Sequence, residues 1–206
     1  MILAALLLVT QVAAQDPRLE RLDPDTRAAV AAVVDSAHVV GLPVEPIIQR
    51  ALEGATKGAS GARIVAAVRR LAVDLGTART ALGTSASAPD LEAGVAALRA
   101  GAAPQVLAQL RNVRRPPLTI ALSVLADLVA SGVPADSAAA AVLTLAPKAR
   151  DADLVEFRRA VERDIALGAP PAAATSVRLN AGAADAINTT AGPPGTPGTR
   201  SRRPRP

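Results

Sequence analysis

The stretch ALEGATKGASGARIVAAVRRLA, residues 51–72, decides how this chain is to be read. Gly54, Gly58 and Gly61 fall close together with Lys57 and Ser60, and a long run of apolar residues at helical spacing follows. A loop that cradles a phosphate has the form Gly-x-x-x-x-Gly-Lys-Ser/Thr after a strand, so that backbone N–H groups surround the anion and the lysine reaches it. Here Lys57 precedes Gly58, no Ser or Thr follows a Gly-Lys pair, and the preceding residues are helix formers. The stretch therefore reads as a bend between two helices. Glu53 and Lys57 stand four apart in the order that favours a helical ion pair. Gly58 ends the first helix and Ser60 caps the second.

Beyond the bend, Ile64, Val68, Leu71, Leu75, Ala78 and Leu82 recur in steps of four and three, a heptad-like seam. This predicts the longest helix, over 61–82. Before the bend, Asp23-Pro24-Asp25 supplies a cap, a first-turn proline and an acid at the positive helix end. A helix follows with Val30, Val33, Val34 and Ala37 on one face, stopping at Gly41, and a short one spans 44–52. Further helices are expected at 89–100, 104–111, 117–131, 134–146, 152–167 and 171–179. Their junctions share a form: Gly41-Leu-Pro43, Gly101-Ala-Ala-Pro104, Gly132-Val-Pro134 and Gly168-Ala-Pro170. Glycine takes the left-handed conformation after a helix, and proline starts the next one. The spacing is that of helix-hairpin repeats such as the tetratricopeptide class, whose large aromatic and Leu-Gly signature residues are absent here.

Composition agrees with helices. Half of the 206 residues are hydrophobic, about a quarter of the chain is alanine, Phe157 is the one aromatic, and Trp, Tyr and Cys are missing. Alanine favours helix but buries little area, so Val, Ile and Leu carry the core. The expected fold is all-α, either an irregular array of helix hairpins resembling a small α-solenoid or a compact helical bundle, with a disordered C-terminal tail.

The two ends read differently from the middle. MILAALLLVTQVAAQ is too short to span a bilayer and ends in small residues, which predicts a signal peptide over 1–14 even though no Lys or Arg precedes its apolar run. Residues 15–22, rich in charge, read as a linker, 23–180 as the helical domain, and 181–206 as a disordered tail rich in Gly, Pro and Arg. Arg200, Arg202, Arg203 and Arg205 account for four of the five units of the formal charge of +5, so the body itself is nearly neutral. Those four arginines are the candidate polyanion-binding residues, for nucleic acid, acidic glycan or an anionic membrane surface. The run GLPVEPIIQRALEGATKG resembles a segment recurring in uncharacterised exported bacterial proteins; the resemblance covers about 30 residues and implies export but no activity.

Catalytic groups are scarce. His38 is the lone histidine, in the last turn of its helix, where a cation suits the negative end. With no cysteine beside it, no metal site or cofactor is expected. A nucleophilic triad would have to recruit Ser60 or Ser123 to His38. The charges of 151–164 have the i,i+3 and i,i+4 spacing of a solvated helix face, with Arg158 paired to Glu162 and Glu156 to Arg159. Arg111, Arg114 and Arg115 form a second basic cluster, read as an exposed loop, and Asn188-Thr-Thr190 is a weak glycosylation sequon. The expectation is an exported, periplasmic or secreted bacterial protein that is not an enzyme and binds a protein partner as an interaction module or scaffold. The alternative is a polyanion or envelope-surface binder acting through the arginine tail.

Overall fold

A computed structural model of the chain describes residues 16–190. Among them a 3₁₀ turn, Pro17–Arg21, leads into α1 (Pro24–Val39), α2 (Glu45–Thr56), α3 (Gly61–Leu82), α4 (Ala88–Ala100), α5 (Pro104–Val113), α6 (Thr119–Ala130), α7 (Ala135–Leu145), α8 (Asp151–Ala166) and α9 (Pro171–Thr190). The expected seam of α3 is its buried face: Ile64, Val68, Leu71, Leu75, Ala78 and Leu82 are all buried.

Each glycine of the 51–61 bend has its own physical reason. Gly58 sits at φ +65°, where side chains are strained. Gly54 lets α2 approach α3, since a Cβ there would stand 2.8 Å from Ile64 Cγ1. Gly61 lets α3 start against α1, since a Cβ there would overlap Thr26 Oγ1. Ser60 occupies the cap position of α3, yet its hydroxyl makes no capping bond. At α1, by contrast, Asp23 Oδ1 accepts from the Thr26 N–H at 3.0 Å, as the Asp-Pro-Asp motif predicts.

Five helices close in the same way. After α1, α2, α4, α6 and α8 a glycine with positive φ (41, 58, 101, 132, 168) donates its N–H three residues back, and the next residue donates five back. These paired bonds are the Schellman motif, which satisfies carbonyls that the helix end would leave bare. The residue after the glycine then turns inward; Leu42, Ala102 and Val133 are buried. The prolines are less uniform than expected. Pro104 begins α5, but Pro134 is the cap residue of α7, Pro170 precedes α9, and Pro43 precedes the cap residue Val44 of α2.

The helices form an array of two layers. Helices two places apart pack together (α1 on α3, α3 on α5, α5 on α7, α7 on α9, and α4 on α6, α6 on α8), while hairpin contacts such as α2 with α3 and α8 with α9 join the layers. Neighbours within a layer run parallel. Thr26 meets Gly61 at the starts of α1 and α3, and Arg79 near the end of α3 donates to the Gly41 carbonyl beyond the end of α1. Arg111 of α5 lies against Gly83 at the end of α3, and Pro171 of α9 against Gly132 just ahead of α7. The expected all-α class is found, and its extensive contacts run between helices adjacent or next-but-one in the chain.

In the other layer, α4 and α6 share a carboxylate. Asp90, in the first turn of α4 and only 2% exposed, accepts from the Leu118 N–H at 2.8 Å and from Thr119 Oγ1 at 2.7 Å, at the start of α6. Its own N–H donates to Ser87 Oγ, the cap of α4, at 3.3 Å. Burial pushes the Asp90 carboxyl up, but hydrogen bonds from Thr119, Ser87 and the Leu118 N–H outweigh it and hold it below its ordinary 3.8.

Two boundaries differ from the sequence reading. Residues 15–22, expected to be a linker, include the 3₁₀ turn, and Leu19 and Leu22 are buried in the core. Their spacing of three puts both leucines on one side of a tight turn, which the surrounding charges obscure. At the other end, α9 runs to Thr190 rather than stopping at 179. Its last part is alanine-rich without an apolar stripe, so propensity extends a helix that periodicity does not mark. Residues 1–14, expected to be a signal peptide, lie outside the described residues, as do 191–206.

Gly61→Ala is expected to destabilise the protein by roughly 1–3 kcal/mol through overpacking against Thr26, and Gly58→Ala by about 1 kcal/mol through its positive φ. Urea denaturation of both variants checks this, and unchanged midpoints would refute it. The depressed Asp90 carboxyl makes a second prediction. Its charged form stabilises the fold fully above the unfolded value near 3.8, and that stability is lost as pH falls through the lower folded value. Asp90→Ala, which strands the Leu118 N–H and the Thr119 hydroxyl, should cost about 1–3 kcal/mol at pH 7 and flatten the acid limb of a melting-temperature profile.

Candidate functional site

The lengths of the helices create a groove on the surface among the described residues. α2 and α4 both cover α3, but from opposite ends. Gly54 of α2 lies against Ile64 near the start of α3, and Arg99 near the end of α4 pairs at 2.8 Å with Asp74, past the middle of α3. α4, α6 and α8 pack successively, whereas α2 and α4 stand apart. A groove of about 520 Å³ opens between them. Leu71 and Leu75 of α3 form its floor; Pro46, Gln49, Arg50 and Glu53 of α2 form one wall, and Glu92, Val95, Ala96 and Arg99 of α4 the other.

Its walls are held by chains of charge. On the α2 side Glu53 accepts from Lys57 at 2.5 Å and from Arg50 at 3.1 Å, so the expected Glu53–Lys57 pair is present. Lys57, and Arg50 after it, keeps the Glu53 carboxyl below its ordinary range. At the start of α2 the Arg18 guanidinium grips Glu45 through two bonds of 2.8 Å, and Gln49 donates to the same carboxylate at 2.7 Å. Arg18 first, then Gln49, pulls the Glu45 carboxyl down to about 2. On the other side Asp74 holds both Arg99 and Arg70. Glu92 differs from these: among the described residues it has no ion-pair or hydrogen-bond partner. The groove thus offers an apolar floor, pre-set mixed charge and one unmatched carboxylate.

The residues singled out in the sequence are placed as follows. Arg200, Arg202, Arg203 and Arg205 lie outside the described residues. His38 is exposed in the last turn of α1. Ser60 stands at the opposite end of α3 from Arg79, which meets the end of α1, a separation of about 28 Å at the helical rise. Ser123 belongs to α6, which does not pack on α1. Neither serine is brought to His38. Asn188-Thr-Thr190 falls in the last turn of α9. Among the described residues no group of three His, Cys, Asp or Glu is placed to hold a metal ion, and no helix is long and apolar enough to cross a membrane.

Two charged segments depart from the sequence reading. The 151–164 run is not only a solvated face. Arg158 reaches Asp127 of α6 at 3.0 Å as well as Glu162, Glu156 pairs with Arg163 rather than Arg159, and Asp164 takes Arg178 of α9 through two 2.7 Å bonds. In the Arg111–Arg115 cluster, Arg114 is largely buried. It donates to the carbonyls of Ala146 and Ala149 at 2.7 Å each and to Asp151 at 2.5 Å, fastening the end of α5 to the turn between α7 and α8. Arg111 and Arg115 remain exposed.

Spacing in the sequence does not point to the groove, because its walls come from separate helices. The readable hint is length: a helix of 22 residues followed by one of 13 leaves part of the longer one uncovered. The contrast between neighbouring arginines is testable. Arg114→Ala should cost about 1.5–3 kcal/mol, since it bares two carbonyls and a carboxylate, while Arg115→Ala should change stability by less than about 0.5 kcal/mol; equal losses in thermal unfolding would contradict the assignment. Compared with family models, with curated proteins and with solved structures, the chain matches none of them.

Proposed function

We propose that this chain is an exported, non-catalytic helical protein of the bacterial envelope that binds another protein in the groove between α2 and α4. The carrying observation is the gap itself, in a layer whose other members pack side by side. A partner segment that lays an apolar side chain on Ala96 and the edge of Leu71 and brings a cation to Glu92 completes that layer. This is helix-in-groove recognition, in which an apolar face gives affinity and rim charge gives register. The pre-paired wall residues support the reading, because side chains already ordered lose little freedom on binding. The export half rests on the apolar segment of residues 1–14 and its small-residue end.

Capture from bacterial envelope extracts tests the groove. Ala96→Arg places a long cation across it from an exposed site on α4. A partner held by the parent chain is expected to be lost with Ala96→Arg and kept when Arg200, Arg202, Arg203 and Arg205 are all changed to glutamine. The reverse pattern would favour the arginine tail as the binding element. Mass spectrometry of the exported chain should place its N-terminus near Gln15.

A further inference from the structure

We infer that the corner between α5 and α6 is a docking site for an anionic lipid surface, separate from the groove and from the arginine tail. The corner gathers charge. Arg114 bonds to Ala146, Ala149 and Asp151, which brings the segment 111–117 against the turn that carries Lys148 and Arg150. Five cations, Arg111, Arg114, Arg115, Lys148 and Arg150, thus meet two carboxylates, Asp151 and Asp153, for a local charge of +3. The body outside the four tail arginines carries a formal charge of only +1, so the rest of its surface is slightly negative. Asp151 is occupied by Arg114 and Asp153 by Arg150, which leaves Arg111, Arg115 and Lys148 exposed and without a carboxylate partner among the described residues.

The same corner exposes apolar groups. Val113 is 42% exposed, and Pro116 and Pro117 beside it are exposed as well. Cations flanking a small apolar tip are what a membrane interface selects: the charges meet anionic headgroups and the apolar atoms enter the acyl boundary. A single-stranded nucleic acid would call for aromatic stacking partners, and the chain's one aromatic, Phe157 of α8, packs against the core; a duplex would not engage the apolar tip at Val113. Arg114 supplies the rigidity. Its three bonds hold the backbone of the corner in place, so Arg111, Arg115 and Lys148 are presented by a braced turn rather than a loose loop.

The test uses the full chain with Arg200, Arg202, Arg203 and Arg205 changed to glutamine, so that the tail contributes no charge. Co-sedimentation with vesicles of phosphatidylglycerol and phosphatidylcholine is expected at low salt and should weaken at physiological salt. Vesicles of phosphatidylcholine alone should not bind. Each cation near such a surface is worth about a fivefold factor, so Arg111→Glu with Arg115→Glu should weaken binding on the order of 25-fold or more, with circular dichroism and melting temperature unchanged. Val113→Ser should weaken vesicle binding while leaving heparin binding as it was. The inference is overturned if the tail-neutral chain does not bind the anionic vesicles, or if the double variant binds as tightly as its parent. It is also overturned if Val113→Ser has no effect on vesicles and heparin competes with equal strength, which would make the corner a general polyanion site.

Discussion

The carboxylate of Asp90 holds the array in phase. One buried group serves the first turns of both α4 and α6, taking the Leu118 N–H and the Thr119 hydroxyl while belonging to the capping turn of its own helix. A charge buried this deeply is tolerated only because its acceptor sites are filled by donors at two positive helix ends. Pinning both helix starts to one point fixes the register of α4 and α6, which make the most extensive helix contact among the described residues. Small residues line the packing around α4: Ala93, Ala97 and Ala121 are buried, and a Cβ on Gly94 would come within 3.0 Å of Leu82 of α3.

Alanine packing of this kind brings backbones close but buries little area per residue. Much of the specificity therefore falls to polar ties between elements. Arg18 joins the first turn to α2, Arg99 joins α4 to α3, Arg158 joins α8 to α6, and Arg178 joins α9 to α8. Most of these are surface pairs, modest in energy one by one, and they fix orientation more than they add stability. Arg114 stands apart because it is shielded and satisfies two helix-end carbonyls at once.

What could be read along the chain was whatever local chemistry dictates. Glycines 41, 58, 101, 132 and 168 end their helices as the punctuation predicts, because a left-handed cap is a property of a few consecutive residues. The α3 seam is equally local, and the helix spans the predicted 61–82. Gly54 and Gly61 look like the same signal as Gly58, yet they answer to Ile64 and Thr26, so their reasons are tertiary. Asp90 and Arg114 gave no hint either: one looks like an ordinary first-turn acid and the other like part of an exposed basic run, and both find their partners about 30 residues away. The end of α9 differs for the opposite reason, since alanine propensity continues where apolar spacing stops. The groove depends on how far two helices overlap a third, which no single segment encodes.

The neighbour-only pattern of contact has a mechanical meaning. Among the described residues every extensive helix packing joins elements adjacent or next-but-one in the chain, and the longest-reaching ion pair is Arg114 of α5 to Asp151 of α8. The seam between the front and the back of the array lies where α4 packs on α6, the most extensive helix pair among the described residues, and where α5 packs on α7. The groove lies wholly in front of that seam, on α2, α3 and α4. The Arg114 fork crosses it, reaching from the end of α5 to α7 and α8. A load applied at that corner is thus shared by both halves, while an occupant of the groove touches the back half only through α4, the helix that α6 packs on.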